Sequence, residues 1–164
     1  MINDDDDDDD FEFNEEYSEE DMEEARKQAE AEDLETSKHP LFQQSKEVLN
    51  ILDVICAVSG EDETYSAFLD TLRHAAEDMH VKVSATLMAN TYVLCMQNAA
   101  IIRDNAQYLR LANHTLSAFE DLDPKYIEMF RSEMEKFRML FRKWALEIRD
   151  MDNEFEDEWG LFVK

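Results

Sequence analysis

The sequence predicts an all-α protein: an antiparallel up-down-up-down four-helix bundle, residues 37–164, behind a disordered acidic N-terminal tail, residues 1–36, that carries a peripheral helix. Three observations support this. A ladder near the C-terminus, Ile127, Phe130, Met134, Phe137, Phe141, Trp144, Ile148, Met151 and Phe155, runs at alternating spacings of three and four. That spacing keeps every large apolar side chain on one stripe of a helix, which must then bury its stripe against other helices. Helix breakers are scarce: of two glycines and two prolines, Gly60, Pro40 and Pro124 stand where helices should begin or end. No run of alternating β-branched residues supports a strand.

The tail opens with seven consecutive aspartates, Asp4 to Asp10, followed by Phe11, Phe13 and Tyr17 among glutamates. Repulsion between carboxylates and the lack of aliphatic residues leave nothing to offset the entropy of ordering it. From Glu19 to Glu35 helix formers dominate, but only Met22, Ala25, Ala29, Ala31 and Leu34 are available for burial, so a transient or peripheral helix is expected there. The first bundle helix is expected from a cap within Ser37 to Pro40, carries Leu41, Phe42, Val48, Leu49, Leu52 and Ile55, and closes at Gly60. Glu61, Asp62 and Glu63 favour the N-terminus of the second helix through its dipole, and Tyr65, Leu69, Leu72, Ala76, Met79, Val83 and Leu87 form its stripe. A third stripe follows at Tyr92, Cys95, Ala99, Ile102, Ala106, Leu109, Asn113 and Leu116. One unbroken helix over 62–118 would reach about 85 Å at 1.5 Å per residue, so a turn is expected at Asn90–Thr91, whose side chains can cap the third helix. Asp123 and Pro124 cap and start the fourth helix, which carries the ladder.

The chain has 41 acidic and 16 basic residues, a net charge of −25. Residues 1–38 hold 19 acidic and 3 basic groups, a net of −16, leaving −9 for the remainder. Charge of this sign repels phosphate backbones and argues against DNA or RNA as a partner. Cys56 and Cys95 fall on apolar helix faces, where free cysteine behaves as a small hydrophobe, and a reducing compartment suits them. No apolar run approaches the length of about 20 residues that spans a bilayer, and the N-terminus lacks the pattern of a secretory signal. A soluble cytoplasmic protein without membrane association is expected.

Met96-Gln97-Asn98-Ala99, Ile101-Ile102-Arg103, Asn105-Ala106, the run Arg131-x-Glu133-x-Glu135-x-Phe137-Arg138-x-Leu140-Phe141-x-x-Trp144 and the ending Trp159-Gly160-Leu161-Phe162 resemble a family of small uncharacterised bacterial helical proteins. That family is itself distantly similar to the four-helix proteins encoded in ribosomal RNA intervening sequences. The resemblance covers residues 40–162. From His80 to Ala89 the chain departs from it, having neither the proline nor the glycine-rich turn expected of such relatives. The resemblance implies a four-helix bundle that self-associates, and brings no activity, cofactor or site residues.

Glu77-x-x-His80 matches half of the paired Glu-x-x-His signature of di-metal bundles. The other half is missing, since neither His39 nor His114 follows a glutamate by three. Glu77, His80 and His74 are therefore a minor alternative to ordinary ion-paired surface. Arg131, Lys136, Arg138, Arg142, Lys143 and Arg149 gather on the fourth helix. Local pairs such as Arg131 with Glu135 and Lys143 with Glu147 are the plain expectation, worth about 0.3–0.5 kcal/mol each. The functional alternative makes Arg131, Arg138 and Arg142 a strip that docks an acidic partner or the chain's own tail. Asn98, Asn105 and Asn113 are expected to fix helix register if buried, and Trp159, Leu161 and Phe162 to cover one end of the bundle. No nucleophile with its base is recognisable and no phosphate loop can be built from two glycines, so no catalytic residue and no cofactor is expected. Phe11, Phe13 and Tyr17 are instead candidate anchors for a partner's apolar groove, with the surrounding carboxylates meeting its lysines and arginines. The expected function is that of a non-enzymatic interaction or scaffold protein that forms homo-oligomers and recruits a basic protein partner. The alternative is a metal-dependent or small-molecule enzyme with ligands in the bundle core.

Overall fold

The computed structural model describes residues 18–59, 63–152 and 157–163. They form five helices and no strand: α1 (Glu19–Lys38), α2 (Pro40–Val58), α3 (Glu63–Leu87), α4 (Tyr92–Leu116) and α5 (Pro124–Arg149). Four of them, α2 to α5, fall on the four expected stripes, and the acidic segment after Ser18, where a transient or peripheral helix is expected, makes a full helix of 20 residues. Ser18 and Asp21 close a reciprocal capping box there, the hydroxyl accepting from the Asp21 amide at 3.1 Å and the carboxylate from the Ser18 amide at 3.2 Å. The expected boundary between residues 36 and 37 falls in the last turn of this helix.

Pro40 sets the break between α1 and α2. A residue before proline is driven out of the helical region, and His39 sits at φ −66°, ψ 132°. It ends α1 and caps α2, its Nδ1 accepting from the Leu41 amide at 3.2 Å. The cap is thus His39, while the Ser37 hydroxyl donates to the Leu34 carbonyl at 2.8 Å. At the other end α2 closes on Ser59, and Gly60 lies outside the described residues. The break between α3 and α4 falls where expected, with Thr91 as N-cap. Thr91 makes no capping bond through its side chain. Instead the Cys95 thiol points back at the end of α3, 3.7 Å from the Ala89 carbonyl and 3.9 Å from that of Thr86. Asp123 caps α5 as expected, its carboxylate accepting from the Lys125 amide at 2.9 Å.

α2 packs on α3 and α5, and α4 packs on α3 and α5. Their facing stripes bury Leu52, Ile55, Leu72, Met79, Ile102, Leu109, Phe130 and Phe137 in one core. The ladder of α5 is sealed at Ile127, Phe130, Met134, Phe137, Trp144 and Ile148 but only half-buried at Phe141 and Met151; Phe155 lies outside the described residues. In the α4–α5 connection Phe119 and Leu122 are buried, and the Phe119 ring stacks on Tyr65 of α3 with centroids 3.8 Å apart. α1 contributes almost nothing to this core. Thr36 is its one buried residue.

Candidate functional site

The four core helices leave a groove along the seam of α4 and α5. Its floor is apolar, made by Ala106 of α4 and by Met134, Phe137 and Phe141 of α5. Its rims are cationic. Arg103 and Arg110 stand on α4, and Arg131, Arg138 and Arg142 on α5, lining two adjoining clefts of about 240 and 490 Å3 that share Gln107, Arg110 and Met134. Helical repetition explains the alignment: Arg103 and Arg110 are one heptad apart, each directly after a core residue, Ile102 or Leu109. Arg131, Arg138 and Arg142 repeat at seven and four on the matching flank of α5. Among the described residues Glu135 is the single carboxylate in the lining of the two clefts.

The arginines differ in how far they are neutralised. Arg138 Nε lies 2.9 and 3.0 Å from the Glu135 carboxylate oxygens, and its Nη2 also meets Glu135; this pairing holds the Glu135 carboxyl below the usual carboxylate range. Arg131 pairs with Glu128 at 3.1 Å, not with Glu135. Lys136 pairs with Glu133 at 2.7 Å, and no Lys143–Glu147 ion pair forms among the described residues. All three pairs on α5 run from a glutamate to a cation three residues later, the order favoured by the helix dipole. Among the described residues Arg110 donates only to the neutral amide of Gln107, at 3.3 Å, and Arg103 reaches only its sequence neighbour Asp104, at 3.8 Å with both side chains exposed. Arg142 has no ion-pair partner among the described residues.

Arg131, Arg138 and Arg142 are therefore brought to one edge as the sequence anticipates, whereas Arg103 and Arg110, which complete the groove, were not anticipated. Their signal was present as a cation following a core position at heptad spacing. Which neighbour that flank faces becomes visible only once α5 is placed. Phe11, Phe13 and Tyr17 lie outside the described residues.

Glu77, His80 and His74 do not converge. The Glu77 carboxylate meets Arg73 at 3.3 Å, and Arg73 bridges on to Asp53 of α2 at 3.2 Å. His74 is exposed, and its Nδ1–H donates to the Asp70 carbonyl at 2.7 Å. His80 is half-buried between α2 and α3, with Nδ1 2.7 Å from the Ser45 hydroxyl. That hydroxyl donates to the Phe42 carbonyl at 2.7 Å, so its one proton is committed and the imidazole Nδ1–H is the donor to it. Burial, reinforced by Lys46, pushes the His80 pKa down and favours the neutral ring. The arrangement ties α2 to α3. Among the described residues no group of three or more histidine, cysteine or acidic side chains is placed to hold a metal ion.

Asn98 and Asn113 are buried as the register reading requires, while Asn105 is half-buried. Asn113 Nδ2 donates to the Arg110 carbonyl at 3.1 Å, but its Oδ1 is buried without a donor. Burial raises the pKa of both thiols, Cys56 and Cys95, which leaves them poor nucleophiles. At the C-terminus the expected cover is partial: Phe162 packs on the core, while Trp159 and Leu161 are 87% and 77% exposed. Asp157 turns the chain there by accepting from the amides of Trp159, Leu161 and Phe162 at 3.2, 2.7 and 2.8 Å. Gly160 supplies the left-handed residue, φ +67°. No described helix is long and apolar enough to cross a membrane. Comparison of the chain with family models, with curated proteins and with solved structures gives no match in any of the three.

Proposed function

We propose that this is a non-enzymatic interaction or scaffold protein of the cytoplasm, whose acidic-aromatic N-terminal segment recruits a basic protein partner. In this reading α2 to α5 are an antiparallel up-down-up-down four-helix bundle that serves as a platform, and copies of it self-associate, the part of the reading that the resemblance over residues 40–162 supplies. The observation that supports it most is the exposure of α1 from Glu19 through Glu35. A helix with an acidic surface and almost no burial adds little to stability, and its exposed carboxylates extend the acidic surface that a basic partner would meet. The carboxylates would meet the lysines and arginines of the partner while Phe11, Phe13 and Tyr17 enter an apolar groove between them.

The test is capture by the full chain against a full-length variant with Asp4 to Asp10 changed to asparagine, using immobilised deca-lysine as the basic probe. Retention of the native chain at physiological ionic strength with loss of the variant is the expected result. Equal retention of both would sink the reading. The enzyme alternative has no observation in its favour, since Glu77, His80 and His74 are each engaged elsewhere.

A further inference from the structure

Taking residues 1–17 as the binding arm, on which this inference rests, we propose that the α4–α5 groove is that arm's own dock. The acidic-aromatic segment 4–17 of the same chain lies along the arginine-lined seam and leaves it when a more basic partner captures the arm.

Charge complementarity argues for this occupant. In a chain of net charge −25, the two clefts collect five arginines against, among the described residues, the single carboxylate of Glu135. The arginines with least neutralisation, Arg103, Arg110 and Arg142, all border the cleft floored by Phe137 and Phe141. Seven aspartates followed by Phe11 and Phe13 match that surface in order and in kind, carboxylates for the rims and aromatic rings for the floor. Phe141, only half-buried although it stands on the core stripe, is the surface such a ring would cover.

Length also suffices. The last turn of α1 stands beside the α3–α4 turn, with Glu35, Thr36 and His39 lining one cleft with Leu87, Met88 and Asn90. α1 therefore ends where α4 begins, and the arm departs from Ser18 at the other end of α1. Arg103 is eleven residues into α4, about 16 Å at helical rise. Were the 20 residues of α1 to continue that line outward, Ser18 would stand about 46 Å from Arg103. The fourteen residues from Ser18 back to Asp4 extend to about 49 Å, so even then the aspartate run reaches the rim at Arg103. Phe11, seven residues from Ser18, extends about 25 Å and reaches the floor where α1 inclines toward α4. Tethering raises the local concentration of the arm toward the millimolar range, so weak contacts are enough to hold it. Exposed charge pairs are screened over about 8 Å at physiological ionic strength, so the dock is reversible and salt-sensitive.

Two measurements on full-length protein test it. In NMR spectra at low salt, the side-chain Nε–Hε resonances of Arg103, Arg110 and Arg142 should differ between the native chain and the variant with Asp4 to Asp10 changed to asparagine. Salt at about 0.5 M should bring the native chain to the variant's positions, and dilution should leave the shifts unchanged. The second measurement frees the arm from the other side. A groove variant, Arg103→Gln, Arg110→Gln and Arg142→Gln, should bind deca-lysine about fivefold tighter than a charge-matched control, Lys27→Gln, Lys46→Gln and Lys143→Gln, because a docked arm is unavailable in proportion to its occupancy. Equal affinities, absent shifts, or shifts that grow with protein concentration and so report a second copy as occupant, overturn the intramolecular dock. In those cases the arm reading stands as long as the native chain still binds deca-lysine and the asparagine variant does not. If both bind it equally, the arm reading falls and takes this inference with it.

Discussion

Phe137 and Phe141 are successive rungs of one ladder, with ring centroids 6.2 Å apart, yet the first is 1% exposed and the second half-buried. Spacing tells which face of a helix a residue occupies. It does not tell whether the neighbouring helix closes over that face, and at Phe141 small Ala106 and the splayed arginines leave the seam open. Phe137→Ala should therefore cost about 3–5 kcal/mol in urea unfolding, and Phe141→Ala about half as much. Both are measured at about 0.5 M sodium chloride, where the arm is released from the groove, so equal losses would mean that the core helices themselves cover Phe141. His80 was legible as a candidate only through its glutamate three residues earlier; its real partner, Ser45, comes from another helix. Its pKa is lowered in the folded state, so the unfolded chain takes up the proton first as pH falls. The stability that the neutral ring contributes is present above the ordinary imidazole pKa of about 6.5 and is lost as pH falls from there toward the lowered folded value. His39 shifts in the same direction, chiefly by burial, and relief of acidic repulsion opposes both, so the diagnostic quantity is a difference. Between pH 7 and 5 the native chain should lose more stability than His80→Gln, which keeps a donor for Ser45 but does not titrate in that range. Parallel pH profiles for the two proteins would show that His80 does not carry this linkage.

At the scale of elements, the starts written in proline were the most legible. Pro40 and Pro124 each occupy the first helical position, behind His39 and Asp123, because a fixed φ and a missing N–H suit that position and disfavour its predecessor for helix. The start of α4 was legible in place and not in mechanism: Thr91 has the right backbone and no side-chain cap. α1 was read as a transient or peripheral helix; it is a full helix with Thr36 its buried residue, because a capping box and an i,i+4 pair such as Lys27–Glu23 at 2.8 Å help a helix that tertiary packing ignores. If α1 is energetically separate, Ala29→Pro should remove helical signal, a proline costing about 3 kcal/mol in a helix interior. The cooperative melt of the core should stay where it is. A melting temperature lowered as far as by Phe141→Ala would show that α1 docks on the core helices.

Over the whole molecule the two ends of the charge distribution were unequally legible. The acidic excess is read from the chain directly, since position along the sequence is enough. The cationic seam is not, because Arg103 and Arg110 come from one helix and Arg131, Arg138 and Arg142 from another, and their meeting depends on which flanks of α4 and α5 face each other. These opposed groups decide how the protein responds to salt. Ion pairs among the described residues are mostly exposed, Arg26–Glu30 and Arg131–Glu128 for instance, and each contributes about 0–1 kcal/mol at best. A net charge of −25 acts on every separation in the compact state and opposes folding through self-repulsion. Repulsion should win. The melting temperature is expected to rise as sodium chloride increases from about 0.01 to 0.5 M, over which the Debye length shrinks from about 30 Å to below 8 Å. Neutralising Asp4 to Asp10 takes the net charge from −25 to −18, so the asparagine variant should start from a higher melting temperature at low salt and gain less from added salt. A native chain that melts lower as salt rises would reverse the ranking, making the attraction between the acidic residues and the arginine seam the larger effect.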